Sequence, residues 1–215
     1  MTCAVKICGL SSPDDVDAAV GAGADMVGFV FFPPSPRSLT VETAAALAPR
    51  VPYDVTRVAL SVDADDAFLQ AIVLQVGPDM MQLHGDETPD RVTEIRNRYG
   101  LPVMKAVAIS GPEDVKRAYD YGVVADQLLF DARPPQGADR PGGNALVFDW
   151  SLIASKNWGV PWVLAGGLTP KNVVEAIAAS GASAVDVSSG VENAAGAKDA
   201  KKISAFIKAA KGLCP

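Results

Sequence analysis

The chain has 215 residues, of which 49% are hydrophobic, and it carries a formal net charge of −6 at pH 7. This hydrophobic fraction is sufficient for a folded core and excludes an intrinsically disordered chain. The acidic balance argues against a general nucleic-acid-binding protein, which is usually basic. It leaves room for a local anion site, because backbone amides and a few cations suffice to bind one phosphate.

Short apolar segments alternate with helix-like segments along the whole chain. Helices are predicted after the cap at Ser12, after Thr40, over about 64–76 and 89–99, from 110, from Thr169 and over 198–211. Strands are predicted at 3–8, 25–31, 55–61, 79–84, 102–107, 126–131, 161–165 and 183–188. Alternating strands and helices form βαβ units around a parallel sheet. Eight such units predict a single (β/α)8 TIM barrel, an α/β fold, spanning residues 1–215.

The cysteines and the start of the chain indicate the cellular compartment of the protein. Cys3, Cys8 and Cys214 are three in number and lack paired spacing, which is neither a disulfide framework nor a zinc motif. The first strand begins close to Met1 with no signal segment, and no apolar run reaches the ~18 residues of a membrane span. We therefore expect a cytoplasmic protein that binds no membrane.

Enzymes of this fold carry their chemistry at the carboxyl ends of the barrel strands. The residues that fall there are the candidate site residues: Cys8, Arg37, His84, Asp131, Gly166, Gly167, Ser188, Ser189 and Gly190.

Small residues end the last two strands, as AGG after strand 7 and SSG after strand 8. Adjacent glycines let backbone N–H groups approach an anion, and phosphates in TIM barrels commonly bind at these two loops. The pattern predicts a phosphate site around Gly166, Gly167, Ser188, Ser189 and Gly190. The alternative is that these residues serve only as tight turns.

Strand 1 places Lys6 and Cys8 on one face, because strand side chains alternate. Cys8 is then a candidate base once a nearby cation lowers the pKa of its thiol, while the alternative is a small buried cysteine. By the same alternation, Asp186 and Ser188 share a face on strand 8, which borders strand 1 in a closed barrel. We expect Lys6 and Asp186 to face each other inside the barrel, since a buried lysine requires a partner.

Three further polar residues lie at the rim. Asp131 follows an apolar strand, and burial favours the neutral carboxyl of a general acid; a loop cap is the alternative. His84 is the sole histidine, which argues against a multi-histidine metal site, and it contacts either substrate or the rim. Arg37 either binds a carboxylate bidentately or is a solvated surface side chain.

The connection after strand 6 is long and rich in proline and glycine. Connections of this length are more often functional than accidental. We expect residues 133–144 to form a lid over the barrel mouth, with an ordinary surface loop as the alternative.

Seven motifs in order, VKICGL, GFVFFPPSPR, MQLHGDE, LLFDARPP, GGNALVFDW, LAGGLTPKNV and AVDVSSGVE, resemble the phosphoribosylanthranilate isomerase family of tryptophan biosynthesis. The resemblance covers the chain from Val5 to Glu192 and continues weakly through the last helix. It implies an Amadori rearrangement of N-(5′-phosphoribosyl)anthranilate, with no metal and no organic cofactor. One departure is Ala145, where many members of the family carry glycine after GGN; it concerns the lid.

The resemblance also implies roles for individual residues. Cys8 is expected to be the catalytic base and Asp131 the catalytic acid. Arg37 is expected near the anthranilate end of the substrate, and the phosphate on amides near Gly167, Ser189 and Gly190. The partners expected are this small phosphosugar substrate and no nucleic acid, and the chain is expected to be a monomer.

Two other functions fit part of the sequence. Indole-glycerol-phosphate synthase would share the phosphate site, but it is expected to carry an N-terminal extension and rim lysine and glutamate residues that this chain lacks. A non-catalytic phosphate-ligand binder would need neither Cys8 nor Asp131. The sequence finds one convincing phosphate site, whereas the related aminoaldose of the histidine pathway carries two phosphates.

Overall fold

The computed structural model describes residues 3–133, 142 and 146–212. Eight strands form one closed parallel barrel in chain order, with β8 paired to β1. The strands are Ala4–Cys8 (β1), Met26–Phe31 (β2), Thr56–Ser61 (β3), Met80–Leu83 (β4), Val103–Ile109 (β5), Gln127–Ala132 (β6), Trp162–Leu164 (β7) and Ala184–Val187 (β8). The predicted TIM barrel is confirmed.

Seven α-helices in the described part of the chain surround the barrel. They are Pro13–Gly21 (α1), Val41–Leu47 (α2), Asp66–Val76 (α3), Pro89–Tyr99 (α4), Pro112–Gly122 (α5), Val173–Ser180 (α6) and Ala200–Lys211 (α7). The first begins as predicted, with Ser12 and Asp15 forming a reciprocal capping box ahead of Pro13. Of the described helices, none is long and apolar enough to cross a bilayer.

The connection between β6 and β7 differs from the others in the part that the structure describes. In the described part of that connection the only helical element is a 3₁₀ turn at Trp150–Leu152. Proline lacks an N–H donor and glycine loses the most backbone entropy, so a segment rich in both disfavours an α-helix. Of the predicted lid, residues 134–141, 143 and 144 lie outside the described residues, as does Ala145.

Two helices begin later than predicted. Thr169 does not cap α6 directly, because the amide oxygen of Asn172 accepts hydrogen bonds from the backbone N and hydroxyl of Thr169, and the helix begins at Val173. The closing helix begins after Asp199, whose carboxylate accepts from the N–H groups of Lys201 and Lys202. Two short strands precede it, Glu192–Ala194 (β9) and Ala197–Lys198 (β10), and form a hairpin.

Apolar side chains form a large core between the strands and the helices and two smaller clusters that include residues inside the barrel. The uppermost interior cluster consists of Cys8, Val30 and Leu60, with Phe32 and Val62 packed against it. It lies beneath the carboxyl ends of the strands and forms an apolar base for the polar residues above.

A buried ion pair joins the first and last strands of the barrel. Lys6 is opposite Asp186 in the β1–β8 register, and its Nζ donates to the Asp186 carboxylate at 2.9 Å. Burial is the largest single effect and lowers the pKa of Lys6, but the charges and hydrogen bonds of Asp186 and Cys8 together outweigh it, and the pKa lies above its ordinary value of 10.5. The predicted pairing is confirmed, and Asp186 also reaches the mouth of the barrel.

Replacing Asp186 by leucine is expected to lower the free energy of unfolding by about 3–5 kcal/mol, because Lys6 is left as an unpaired buried charge. Adding Lys6→Met should restore most of that loss, since a buried pair and an apolar pair of similar size differ little. Urea denaturation of the single and double variants measures both effects. Equal stability of the two variants would show that Lys6 does not depend on Asp186.

Because the pKa of Lys6 is raised, the stabilisation by the Lys6–Asp186 pair is present below the ordinary pKa of lysine and is lost as pH rises through the raised value.

Candidate active site

A pocket opens at the carboxyl ends of the strands and holds about 680 Å³ of empty space including its mouth. Every predicted site residue except Gly190 lines it: Cys8, Arg37, His84, Asp131, Gly166, Gly167, Ser188 and Ser189. The fold therefore brings together side chains that lie up to about 180 residues apart in the sequence.

Asp131 lies at the end of β6 and faces His84, which follows β4. The distance between His84 Nε2 and Asp131 Oδ2 is 3.3 Å, and both side chains are about nine-tenths buried. The other carboxylate oxygen, Oδ1, accepts from the backbone N of Ala132 at 2.8 Å. Gly142 lies over the pair, and a Cβ there would come within 2.7 Å of both Asp131 Oδ2 and His84 Nε2. His84 thus contacts the predicted acid, which itself lies at the rim.

Cys8 ends β1 beside the ammonium of Lys6. Both fit because position 28 is glycine, where a Cβ would lie 2.8 Å from Cys8 Sγ and 3.2 Å from Lys6 Nζ. Burial raises the pKa of the Cys8 thiol above its ordinary value, and the charge and hydrogen bond of Lys6 offset this only in part. The cation expected to lower this pKa is present, but desolvation of the thiolate has the larger effect.

Arg37 is buried at the rim, which excludes the alternative of a solvated surface side chain. Its Nε and Nη2 donate to the two carboxylate oxygens of Glu192 at 2.7 and 2.8 Å. Lys198 Nζ donates to the same carboxylate at 2.6 Å and to the backbone oxygen of Ser188 at 3.0 Å. Burial opposes ionisation of Glu192, but these two cations hold the pKa of its carboxyl below the ordinary value. Glu192 thereby fixes the guanidinium, whose remaining N–H groups are oriented by this bidentate contact.

The turns after β7 and β8 pack against each other beside the pocket. Gly166 and Gly167 have φ angles of 84° and 61°, a conformation that glycine adopts without strain. Gly190 does not line the pocket; a Cβ there would lie 1.8 Å from the carbonyl oxygen of Leu168, so its small size allows the two turns to touch. Close packing of the two turns thus explains why residue 190 is glycine. The other four turn residues line the pocket.

Three polar residues near the pocket were not among the predicted site residues. Glu192 and Lys198 belong to the β9–β10 hairpin, which sequence patterning did not reveal. Gln82 is fully buried, and its Nε2 lies 2.9 Å from His84 Nδ1. Its position in the sequence, two residues before His84, could have identified it, because side chains two residues apart on a strand lie on the same face.

An acid, a thiol and an arginine around a pocket at the carboxyl ends of a closed parallel barrel define a TIM-barrel enzyme. Comparison with known proteins identifies the family. A family model described as N-(5′-phosphoribosyl)anthranilate (PRA) isomerase matches residues 5–209. The chain therefore belongs to the N-(5′-phosphoribosyl)anthranilate isomerase family, as the seven motifs indicated.

Relatives and solved structures agree with the family model over nearly the whole chain. The N-(5′-phosphoribosyl)anthranilate isomerase of Paramagnetospirillum magneticum is 58% identical, over 98% of each chain. That of Rhodospirillum rubrum is also 58% identical, over 96% of this chain and 97% of the relative. The crystal structure of phosphoribosyl anthranilate isomerase from Thermotoga maritima is 39% identical, with a TM-score of 0.89 over 98% of this chain and 100% of that one. A further structure of the isomerase, at 38% identity and a TM-score of 0.86 over 98% and 100% of the two chains, is a complex with reduced 1-(o-carboxyphenylamino)-1-deoxyribulose 5-phosphate.

Proposed function

We propose that this protein converts N-(5′-phosphoribosyl)anthranilate to 1-(2-carboxyphenylamino)-1-deoxyribulose 5-phosphate, the third step of tryptophan synthesis from chorismate. Asp131 is the general acid and Cys8 the general base of this Amadori rearrangement. The observation that carries the proposal is the placement of these two groups on opposite sides of one pocket. β1 and β6 are separated by β2–β5 on one side of the barrel and by β7–β8 on the other.

The reaction needs one proton given and one proton taken. Asp131 protonates the ring oxygen of the ribose, the bond from that oxygen to C1′ breaks, and the anilino nitrogen forms a Schiff base with C1′. Cys8, as the thiolate, then removes the proton from C2′, and the electron pair gives an enolamine. The enolamine takes up a proton at C1′ while the C2′ hydroxyl becomes the ketone. Acid and base roles of this kind typically contribute ~10²–10⁴-fold each to the rate.

The two ends of the substrate differ in charge distribution, and so do the two sides of the pocket. Arg37 offers a guanidinium to the carboxylate of the anthranilate ring. The turns at Gly166, Gly167, Ser188 and Ser189 take the phosphate, whose binding holds the sugar in place between acid and base. The related isomerase crystallised with a reduced form of the product supports a ligand of this shape in this fold.

Replacing Glu192 by glutamine is expected to raise KM about tenfold and to change kcat little. Hydrogen bonds to charged groups contribute about 1.5–3 kcal/mol, and Arg37 loses the bidentate partner that orients it. The matched control is Asp17→Asn, which removes the carboxylate partner of the exposed Arg50 and should leave KM unchanged. An unchanged KM for Glu192→Gln would show that substrate binding does not depend on the contact between Glu192 and Arg37.

Turnover of freshly generated phosphoribosylanthranilate by the purified chain tests the activity, followed as loss of anthranilate-type fluorescence. EDTA is present throughout, because we propose that the reaction uses neither a metal nor an organic cofactor. Fast turnover under these conditions is the expected result. Absence of turnover by folded protein would contradict the proposed activity and direct attention to another phosphosugar substrate or to phosphate binding alone.

We further propose that the protein acts as a monomer in the cytoplasm, as one domain spanning residues 1–215. The hypothesis of a monomer requires a test in solution, since one structure of the Thermotoga maritima isomerase is described as mutually generated monomers of a dimeric protein. Light scattering of the purified chain should give a mass near 22.3 kDa, and twice that mass would contradict it.

A further inference from the structure

Three side chains form a line that ends at the proposed acid. Gln82, on β4, is fully buried, and its Nε2 lies 2.9 Å from His84 Nδ1. His84 Nε2 lies 3.3 Å from Asp131 Oδ2. Gln82 is inside the barrel, and the other two side chains line the pocket. The line thus connects the barrel interior to the reacting end of the site.

The chemistry of the groups gives this line a direction. An amide nitrogen only donates, so the Nδ1 that faces Gln82 accepts and carries no proton. The neutral imidazole then carries its proton on Nε2, the nitrogen that faces Asp131. An amide turned over by 180° would present its oxygen to Nδ1, move the ring proton there, and leave Nε2 without a proton to donate.

Burying the polar side chain of Gln82 inside the barrel destabilises the fold, and its contact with His84 gives a reason for it to be there. Its Oε1 is buried and has no hydrogen-bond partner among the residues that the structure describes. A buried amide oxygen without a partner destabilises the fold, and apolar neighbours such as Met104 and Leu129 occupy the interior nearby. Among the described residues, the side chain of Gln82 hydrogen-bonds to His84, and this contact accounts for a glutamine at the position.

The geometry points to Gln82 as a positioning residue for the reaction, acting through His84 on Asp131. By fixing the Nε2–H tautomer, Gln82 makes His84 a hydrogen-bond donor to Asp131 Oδ2. Negative charge accumulates on that carboxyl as it gives its proton to the ring oxygen, and a donor already in place stabilises the charge as it forms. The inference rests on the proposed function for one point, the role of Asp131 as the acid.

Nitrogen-15 NMR of the histidine-labelled protein tests the tautomer directly. His84 is the only histidine of the chain, so the spectrum contains a single pair of imidazole nitrogens and needs no assignment by mutation. At neutral pH we expect a protonated Nε2 and an unprotonated Nδ1. A protonated Nδ1, whether alone or together with Nε2, would overturn the inference, and this outcome is independent of catalytic activity.

Two variants of Gln82 and one control test the link to the acid. Gln82→Met removes the donor and should lower kcat about 10- to 100-fold with KM unchanged, as for loss of one hydrogen bond to a charged group. Gln82→Glu keeps the shape but accepts from Nδ1, so both imidazole nitrogens should become protonated. The control is Ser61→Ala, which removes a buried hydroxyl on β3 that also has no hydrogen-bond partner among the described residues and should change neither kcat nor the spectrum.

Failure of the inference and failure of the proposed function give different results. A normal kcat in Gln82→Met would overturn the inference, while the activity and its acid stand. Full activity in Asp131→Asn would remove Asp131 as the acid, whatever the tautomer of His84. The spectrum of the wild type decides the hydrogen-bond direction even if a variant of Gln82 does not fold.

Discussion

Replacing Cys8 by serine is expected to lower kcat/KM for phosphoribosylanthranilate by about 10²–10⁴-fold, the range of a lost general base. The hydroxyl of serine fits the space of the thiol between Lys6 and Gly28, so binding should be kept while proton abstraction is lost. Fluorescence-monitored turnover measures the effect. The matched control is Cys3→Ser, which changes the other described cysteine, at the start of the same strand segment, and should retain activity.

A deuterium label at C2′ identifies the step that slows in the Cys8 variant. Because Cys8 takes the C2′ proton, its replacement makes that step rate-limiting, and the full primary isotope effect should appear. Near-normal turnover of Cys8→Ser, or an isotope effect that does not grow, would contradict the assignment of the base.

The pKa of Cys8 predicts how the free protein reacts with alkylating reagents. Burial raises the pKa of the thiol, with Lys6 acting in the opposite direction, so the reactive thiolate is a minor species at neutral pH and increases as pH rises. Iodoacetamide alkylation of Cys8 should therefore accelerate with pH into the alkaline range. Lys6→Met, combined with Asp186→Leu to keep the fold, should shift that profile to still higher pH.

The fold could be predicted from the sequence because the pattern of a strand followed by a helix is repeated along the chain. The barrel strands are short apolar runs, most of which end at or just before a polar residue or glycine, and closure of the barrel follows from the number of units. Closure also makes β1 and β8 neighbours, and this sufficed to predict the contact between Lys6 and Asp186 across 180 residues. The connection between β6 and β7 shows the limit, because its described part contains a 3₁₀ turn where a regular repeat places an α-helix.

From the sequence, site residues could be predicted only where they lie at the ends of strands. Alternation places Cys8 and Asp131 at the mouth of the barrel, but it does not report distances between side chains on different strands. The bidentate contact of Arg37 with Glu192 depends on a hairpin whose strands are too short to give a pattern. The net direction of the Cys8 pKa depends on a balance between burial and the charge of Lys6, and no sequence pattern gives that balance.

Replacing Asp131 by asparagine is expected to lower kcat by about 10²–10⁴-fold with KM nearly unchanged. The amide has the size and shape of the carboxyl and can keep the contacts to His84 and to the backbone N of Ala132, but it has no acidic proton to give to the ring oxygen. The matched control is Asp126→Asn, which changes a carboxylate just before the same strand, at the opposite end of the barrel, where it accepts from Val103 N. That variant should retain turnover.

The isotope effect at C2′ should change in opposite directions in the two catalytic variants. In Asp131→Asn, opening of the ribose ring becomes rate-limiting, and the C–H bond at C2′ breaks only afterwards. The isotope effect should then shrink, whereas in Cys8→Ser it should be fully expressed. Similar isotope effects in both variants would mean that acid and base do not act in separate steps, and the order of ring opening before proton abstraction would have to be abandoned.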